Sequence, residues 1–149
     1  MIKLKLFKQS NGYCGPACLK MILSFYEINK SEKYLAKITK TSRIKGCKEK
    51  NIIKAAKEFG LKGYIKQNSS IHELKQLIKK KNPVIINWFS PEEAGHYSVV
   101  IGFKNDKIFL ADPHFGKIKK HKIEWFEQRW FDLPFHPKGP VLKEIIVLK

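Results

Sequence analysis

Hydrophobic positions change their spacing midway along the chain, and that change divides it into a helical part and a strand-rich part. Leu19, Ile22, Leu23 and Tyr26 recur at intervals of three and four, the stripe of a core-facing helix. Pro16 falls in the first turn of that helix, where a missing N–H removes no intrahelical bond. Ser31 ahead of Tyr34, Leu35 and Ile38 predicts a short second helix with a serine N-cap. Ile52, Ile53, Ala56 and Phe59 share one side of a third helix over 48–59, and Gly60 follows as its stop. The alternating segment 61–66 predicts a strand. Ser70 and Glu73 then have the spacing of a capping box, opening a fourth helix that carries Leu74, Leu77 and Ile78.

Beyond position 82 the pattern is that of a sheet. Residues 83–89 (PVIINWF) form an apolar, β-branched run that predicts a buried strand. The segment 96–103 predicts another, joined through a turn at Asn105-Asp106 to a hairpin partner over 107–111 that Asp112-Pro113 ends. A basic strand over 117–121 follows. Ile123, Phe126, Glu127 and Trp130 suggest a short helix, a loop with Pro134, Pro137 and Pro140 comes next, and 141–148 predicts a final strand. The opening MIKLKLFK alternates charged and apolar residues, which predicts a strand rather than a signal peptide. Helices first and antiparallel strands after argue for an α+β fold in two packed layers, with 1–149 as a single domain.

Composition narrows the class. At 149 residues and 43% hydrophobic content the chain is ordinary for one globular domain. Its apolar runs fall far short of the roughly 20 residues that a membrane span needs. A cytoplasmic protein, or a cytoplasmic part of something larger, is the expectation. The net charge of +17 invites a nucleic-acid reading, but only Arg43 and Arg129 are arginines and the lysines are spread over every segment. Lysine lacks the bidentate fork favoured for phosphate and base recognition, and no nucleic-acid-binding motif accompanies the charge. Nucleic acid is therefore not expected as a partner. Three cysteines, Cys14, Cys18 and Cys47, argue against a disulfide framework, and no second ligand pair follows Cys14 and Cys18 at zinc-like spacing. Neither a metal nor a cofactor is expected.

The candidate chemistry starts at Cys14. It follows the flexible Asn11-Gly12 turn and directly precedes the first helix, where free N–H groups and the dipole favour a thiolate. A thiolate nucleophile needs a base, and the base an orienting group. His72 lies early in a helix, and His121 and His136 sit in basic or Pro-rich surroundings without a useful acidic neighbour, whereas His96 starts an apolar strand after the turn PEEAG. With the hairpin turn at Asn105-Asp106, opposed residues sum to about 210–211 by strand pairing. Asp112 then faces Val99 or Ser98, and one sheet rim carries both a histidine and a carboxylate. Gln9 offers a neutral amide donor close to the Cys14 N–H, a candidate oxyanion hole. Trp88 and Tyr97 are the first candidates for walls of a narrow substrate cleft.

Gln9, the block Cys14-Gly15-Pro16-Ala17-Cys18, Gly95-His96-Tyr97 and Asp112-Pro113 together resemble the double-glycine leader (bacteriocin-processing) peptidase family. These are papain-like cysteine peptidase domains, found at the N-terminus of peptidase-containing ABC exporters and as stand-alone proteins. The resemblance runs from Phe7 to about Phe131. It implies cleavage of a leader peptide after a Gly-Gly or Gly-Ala type motif, with Cys14 as nucleophile, His96 as base, Asp112 as orienter and Gln9 in the oxyanion hole. It also implies an ABC exporter as a partner, placing the chain at the inner face of the membrane. Two other readings stay open on the residues alone. One is a catalytically silent module that binds leader peptides for an exporter; the other is a Cys-His-Asp acyltransferase.

Overall fold

The computed structural model describes residues 1–134 and 139–149. The proposed Pro-rich loop lies partly outside them, since His136 and Pro137 are not among the described residues.

Three helices come first: α1 (Cys14–Phe25), α2 (Glu32–Ile38) and α3 (Glu49–Lys57). Ser31 caps α2 by accepting from the Tyr34 N–H, and Gly60, at φ +81°, turns the chain out of α3. Strand β1 (Gly63–Lys66) leads to α4 (Ile71–Lys79). Ser70 Oγ accepts from the Glu73 N–H at 3.1 Å, but the Glu73 carboxylate reaches Lys66 Nζ at 2.8 Å, so only half of the expected capping box forms. Then come β2 (Val84–Trp88), β3 (His96–Lys104), β4 (Lys107–Asp112), β5 (Lys117–Lys122), α5 (Ile123–Glu127), β6 (Phe131–Asp132), β7 (Val141–Leu142) and β8 (Glu144–Leu148).

Six strands form one antiparallel sheet in the order β1-β8-β2-β3-β4-β5. Every residue of β2 and β8 is buried, so this centre must be covered on both faces. On one face Leu19, Ile22, Leu35, Ile52 and Ala56 from α1–α3 pack against Ile85, Val99 and Ile146. On the other, Leu74 and Leu77 of α4 and Phe126 of α5 pack with Trp88, Val100, Leu110 and Ile145. The expectation of two layers is thereby refined. A second, thinner helical layer closes the far face, because strands this apolar cannot present one side to water.

Two local expectations need correction, and one short strand is added. Residues 1–8 form no strand; the Ile2 N–H bonds the Ile101 carbonyl at 2.8 Å, and Ile2, Leu4 and Phe7 pack against the core, so the alternation reflects anchored side chains rather than a ladder. The final strand is split at Lys143, whose φ of +48° bends the chain between β7 and β8. β6, too short to leave a periodic signal, pairs with β7.

The β3–β4 hairpin positions the site. Its register runs Lys104↔Lys107, Phe103↔Ile108 and Gly102↔Phe109, then shifts at a bulge to Val100↔Leu110 and Val99↔Ala111. His96 and Asp112 stand just beyond the last pair, at the same rim of the sheet.

Candidate active site

Cys14 is the first residue of α1 and is half-buried. Gly12, at φ +82°, makes the turn before it, and the Tyr13 N–H bonds the Ser10 carbonyl at 2.9 Å. No acidic side chain lies in the first turn of α1, so nothing offsets its free N–H groups. Gly15 is required at the next position. A Cβ there would lie 2.5 Å from Cys47 Cβ and 2.7 Å from its Sγ. The absent side chain lets the segment before α3 pack directly against the start of α1.

His96 is 1% exposed and Asp112 likewise 1%. His96 Nε2 lies 2.7 Å from Asp112 Oδ1, and the same oxygen accepts the His114 backbone N–H at 3.0 Å. With Nε2 engaged, Nδ1 is the ring nitrogen left for chemistry. Cys14 approaches the ring, and Glu93 Oε2 lies 3.1 Å from Nδ1 without hydrogen-bond alignment, so Nδ1 has no well-aligned partner among the described residues. Burial favours the neutral ring, but contacts with Asp112, Cys14 and Glu93 outweigh it and hold the His96 pKa well above the ordinary histidine value.

Gln9 is tied through its backbone N–H to the Pro113 carbonyl at 2.8 Å, which places it beside the Asp112 turn. Its Oε1 is buried without a partner among the described residues. Gln9, Asn11, Glu93, His114 and Phe115 line an open cleft of about 640 Å³ between the turn before α1 and the rim of the sheet.

The two aromatic candidates for cleft walls are placed elsewhere. Trp88 is 1% exposed, donates its indole N–H to Ser98 Oγ at 3.0 Å and packs on Phe126 behind His96. A side chain so enclosed cannot line a cleft. Tyr97 is 6% exposed, and its hydroxyl contacts the Cys47 carbonyl at 2.9 Å and Glu49 Oε1 at 2.7 Å. It braces the start of α3 against the sheet. Cys18 lies in the core, and burial pushes its thiol well up; Cys47 is pushed up to about 11, chiefly by burial.

One neighbour of the site escaped the sequence reading. Glu93 Oε2 lies 2.9 Å from His114 Nδ1 as well as 3.1 Å from His96 Nδ1. The nearby His96 ring is the main influence that lowers its carboxyl to about 2, against the opposing effect of burial. The signal was an acidic doublet three residues before His96 in a strongly basic chain.

Comparison with known proteins sets this arrangement in a family. Residues 1–135 match the family model described as the Peptidase_C39 like family. The sublancin-168-processing and transport ATP-binding protein SunT of Bacillus subtilis (strain 168) is 31% identical over 127 residues, covering 83% of this chain and 17% of the relative. The lactococcin-G-processing and transport ATP-binding protein LagD of Lactococcus lactis subsp. lactis is 29% identical over 138 residues, covering 92% and 19%. The chain thus spans less than a fifth of the length of either relative. Among solved structures, the peptidase domain of Streptococcus ComA, a bi-functional ABC transporter, superposes with a TM-score of 0.77 at 26% identity, covering 99% of this chain and 98% of that one. A double glycine motif protease from an AMS/PCAT transporter, solved with the leader peptide, shares the fold at a TM-score of 0.75 and 24% identity, covering 99% and 92%. A match over nine-tenths of the sequence, together with the shared α+β peptidase fold, places this chain in the Peptidase_C39 like family, whose bacteriocin-processing members carry it beside a transporter.

Proposed function

We propose that this chain is a cysteine peptidase that removes leader peptides, cutting after a Gly-Gly or Gly-Ala type motif. The observation that carries the reading is the state of His96. Its Nε2 is committed to buried Asp112 while its Nδ1 is left without an aligned partner beside Cys14. A histidine serving only the core would have both nitrogens satisfied. The names of the relatives, which process and transport bacteriocins, supply the substrate class, and an ABC exporter is the implied partner.

The chemistry follows from these positions. Nδ1 takes the thiol proton of Cys14, and the raised basicity of His96 keeps that proton on the ring at neutral pH. The sulfur attacks the scissile carbonyl, whose oxygen becomes negative as the tetrahedral centre forms. The Cys14 N–H at the start of α1 and the Gln9 amide are the donors available to that oxyanion. Asp112 fixes the ring orientation and stabilises the imidazolium. Nδ1 then protonates the leaving nitrogen, and water releases the acyl group from Cys14 in a second passage through the same steps.

Against a silent binding module stands the presence of Cys14 itself, placed with His96 and Asp112. A synthetic peptide panel tests the specificity. A peptide with Gly-Gly before the scissile bond is expected to be cut once, after the second glycine. Replacing both glycines by leucine is expected to lower kcat/KM by at least about tenfold, the scale of overlap that a packed site cannot relax. Equal cleavage of the two peptides would overturn the assigned cleavage motif.

A further inference from the structure

Glu93 is built into the site with more care than a solvent-facing carboxylate requires. Ser90, 3% exposed, accepts the Glu93 N–H at 2.9 Å and donates its own hydroxyl to the Glu93 carbonyl at 2.7 Å. This pair of bonds fixes the Glu93 backbone in the turn before β3. Gly95, at φ +73°, completes the turn, and a Cβ there would sit 2.5 Å from Asp132 Oδ1. The carboxylate itself is held between His96 and His114 and faces the open cleft that Gln9 also lines. Its side chain remains 24% exposed, so a ligand in the cleft can reach it.

We propose that Glu93 is a further catalytic residue, which receives the amine leaving group as it forms and holds it as an ammonium ion. The inference rests on Cys14 acting as the nucleophile. When the acyl group transfers, the Sγ–C bond forms and the C–N bond breaks, with the bonding pair staying on nitrogen. The proton that Nδ1 took from the thiol passes to that nitrogen, giving a neutral primary amine. To accept this proton the nitrogen must stand within hydrogen-bond reach, roughly 3 Å, of Nδ1. Glu93 Oε2 already lies 3.1 Å from the same atom. The leaving nitrogen and the carboxylate are therefore immediate neighbours.

A peptide α-amine has a pKa of about 7.7–8.0, so at neutral pH it takes a second proton from solvent and becomes a cation. The Glu93 carboxyl, held at about 2, is ionised throughout this range. Two effects follow. A charge-assisted hydrogen bond draws the amine off the reaction axis, opposing its return to the acyl group. The carboxylate also supplies a fixed negative charge where the nitrogen becomes positive, in a site already arranged for it. An ester leaving group, released as a neutral alcohol, gains neither.

The test compares a synthetic Gly-Gly peptide with its depsipeptide twin, in which oxygen replaces the scissile nitrogen. Both are assayed with the wild-type chain, Glu93→Gln and Glu92→Gln. Glu92 lines the same cleft but makes no contact with His96 among the described residues, so it controls for loss of general charge. In Glu93→Gln, amide kcat/KM is expected to fall roughly tenfold to a hundredfold more than ester kcat/KM, the scale of one charge-assisted hydrogen bond. Glu92→Gln is expected to keep the amide-to-ester ratio within about twofold. Inhibition by the amine product should exceed that by its N-acetylated form in wild type, with the difference lost in Glu93→Gln. Equal losses on amide and ester would overturn the inference and reduce Glu93 to a positioning residue acting through His96. An equal shift of the ratio in Glu92→Gln would also overturn it. Failure of wild type to turn over either substrate would instead remove the peptidase reading itself.

Discussion

His96 and Asp112 meet at 2.7 Å, both buried, at the ends of two strands that no longer pair where they stand. The bulge between Val100 and Gly102 shifts the hairpin register by one before the rim. That shift sets the offset at which the carboxylate reaches the ring. Because Asp112 also takes the His114 N–H, its orientation is fixed from two directions. Asp112→Asn keeps this shape but loses the charge that stabilises an imidazolium. Turnover is expected to fall about 10²–10⁴-fold. The pKa of His96 should also fall, because Asp112 is the largest of the contacts that raise it. The imidazolium needed beside the thiolate would then be lost at lower pH, moving the alkaline limit of kcat/KM downward. Titration of the ring and a pH profile of the variant check both statements; an unchanged limit would contradict this role.

The three cysteines should differ in reactivity. Cys18 is fully buried and its thiol pushed well up, and Cys47 is pushed up to about 11 by burial. Cys14 is more open and stands beside His96. Iodoacetamide at pH 7 is expected to label Cys14 first, by at least about tenfold, since the thiolate fraction governs attack. Peptide mapping after limited labelling reads the order, and equal labelling of the three would contradict it.

Gly15→Ala drives a methyl group into Cys47, whose Cβ lies 2.5 Å away. The clash is with a side-chain root rather than a flexible end, so α1 or the segment 41–47 must move. A stability loss of about 1–3 kcal/mol is expected from such overpacking. Cys47→Gly should recover part of it, giving a non-additive double-mutant cycle. Additive losses would show that the two sites do not touch.

Glu144 carries a pH-dependent cost. Burial, with the neighbouring Glu49 as the next cause, raises its carboxyl to about 8. The unfolded chain releases this proton near pH 4.3, whereas the folded chain keeps it until about 8. Over that window the folded state binds more protons, so stability falls as pH rises. Glu144→Gln removes the ionisation and retains an amide oxygen for Asn87, whose Nδ2 lies 3.4 Å from Glu144 Oε1. The variant should be more stable than wild type at pH 8.5 by about 1–2 kcal/mol after discounting for solvent screening, with the advantage shrinking towards pH 5. Urea titrations at the two pH values measure it; an advantage that grew towards pH 5 would contradict the sign.

The parts of the fold legible in the sequence are those with a local cause. The apolar run of β2, the serine caps of α2 and α4 and the Asn105-Asp106 turn each leave a pattern in a few adjacent residues. The Asn105-Asp106 turn fixes the pairing arithmetic that brings His96 and Asp112 to one rim, and the one-residue shift at the Val100/Gly102 bulge is too small to part them. The second helical layer left a weaker trace: α5 is only five residues long, and which face it covers is a tertiary outcome. Trp88 shows the same limit at the site. An aromatic residue next to the candidate histidine in the sheet reads as a cleft wall, yet its neighbours Phe126 and Trp125 arrive from α5 and enclose it. Glu93 left only an acidic doublet as its trace, for a different reason. Its role depends on Ser90 closing a turn, and no periodic signal records a turn's side-chain bonds.

Peptide cleavage by Cys14 can be read from a single pair of reactions. Wild type and Cys14→Ala are incubated with the Gly-Gly peptide, and intact-mass spectrometry follows the products while circular dichroism confirms that both chains are folded. Two fragments divided after the second glycine are expected from wild type, with none above the uncatalysed background from Cys14→Ala. Cleavage that persists in the alanine variant, or a folded wild-type chain that leaves the peptide intact, would contradict the claim.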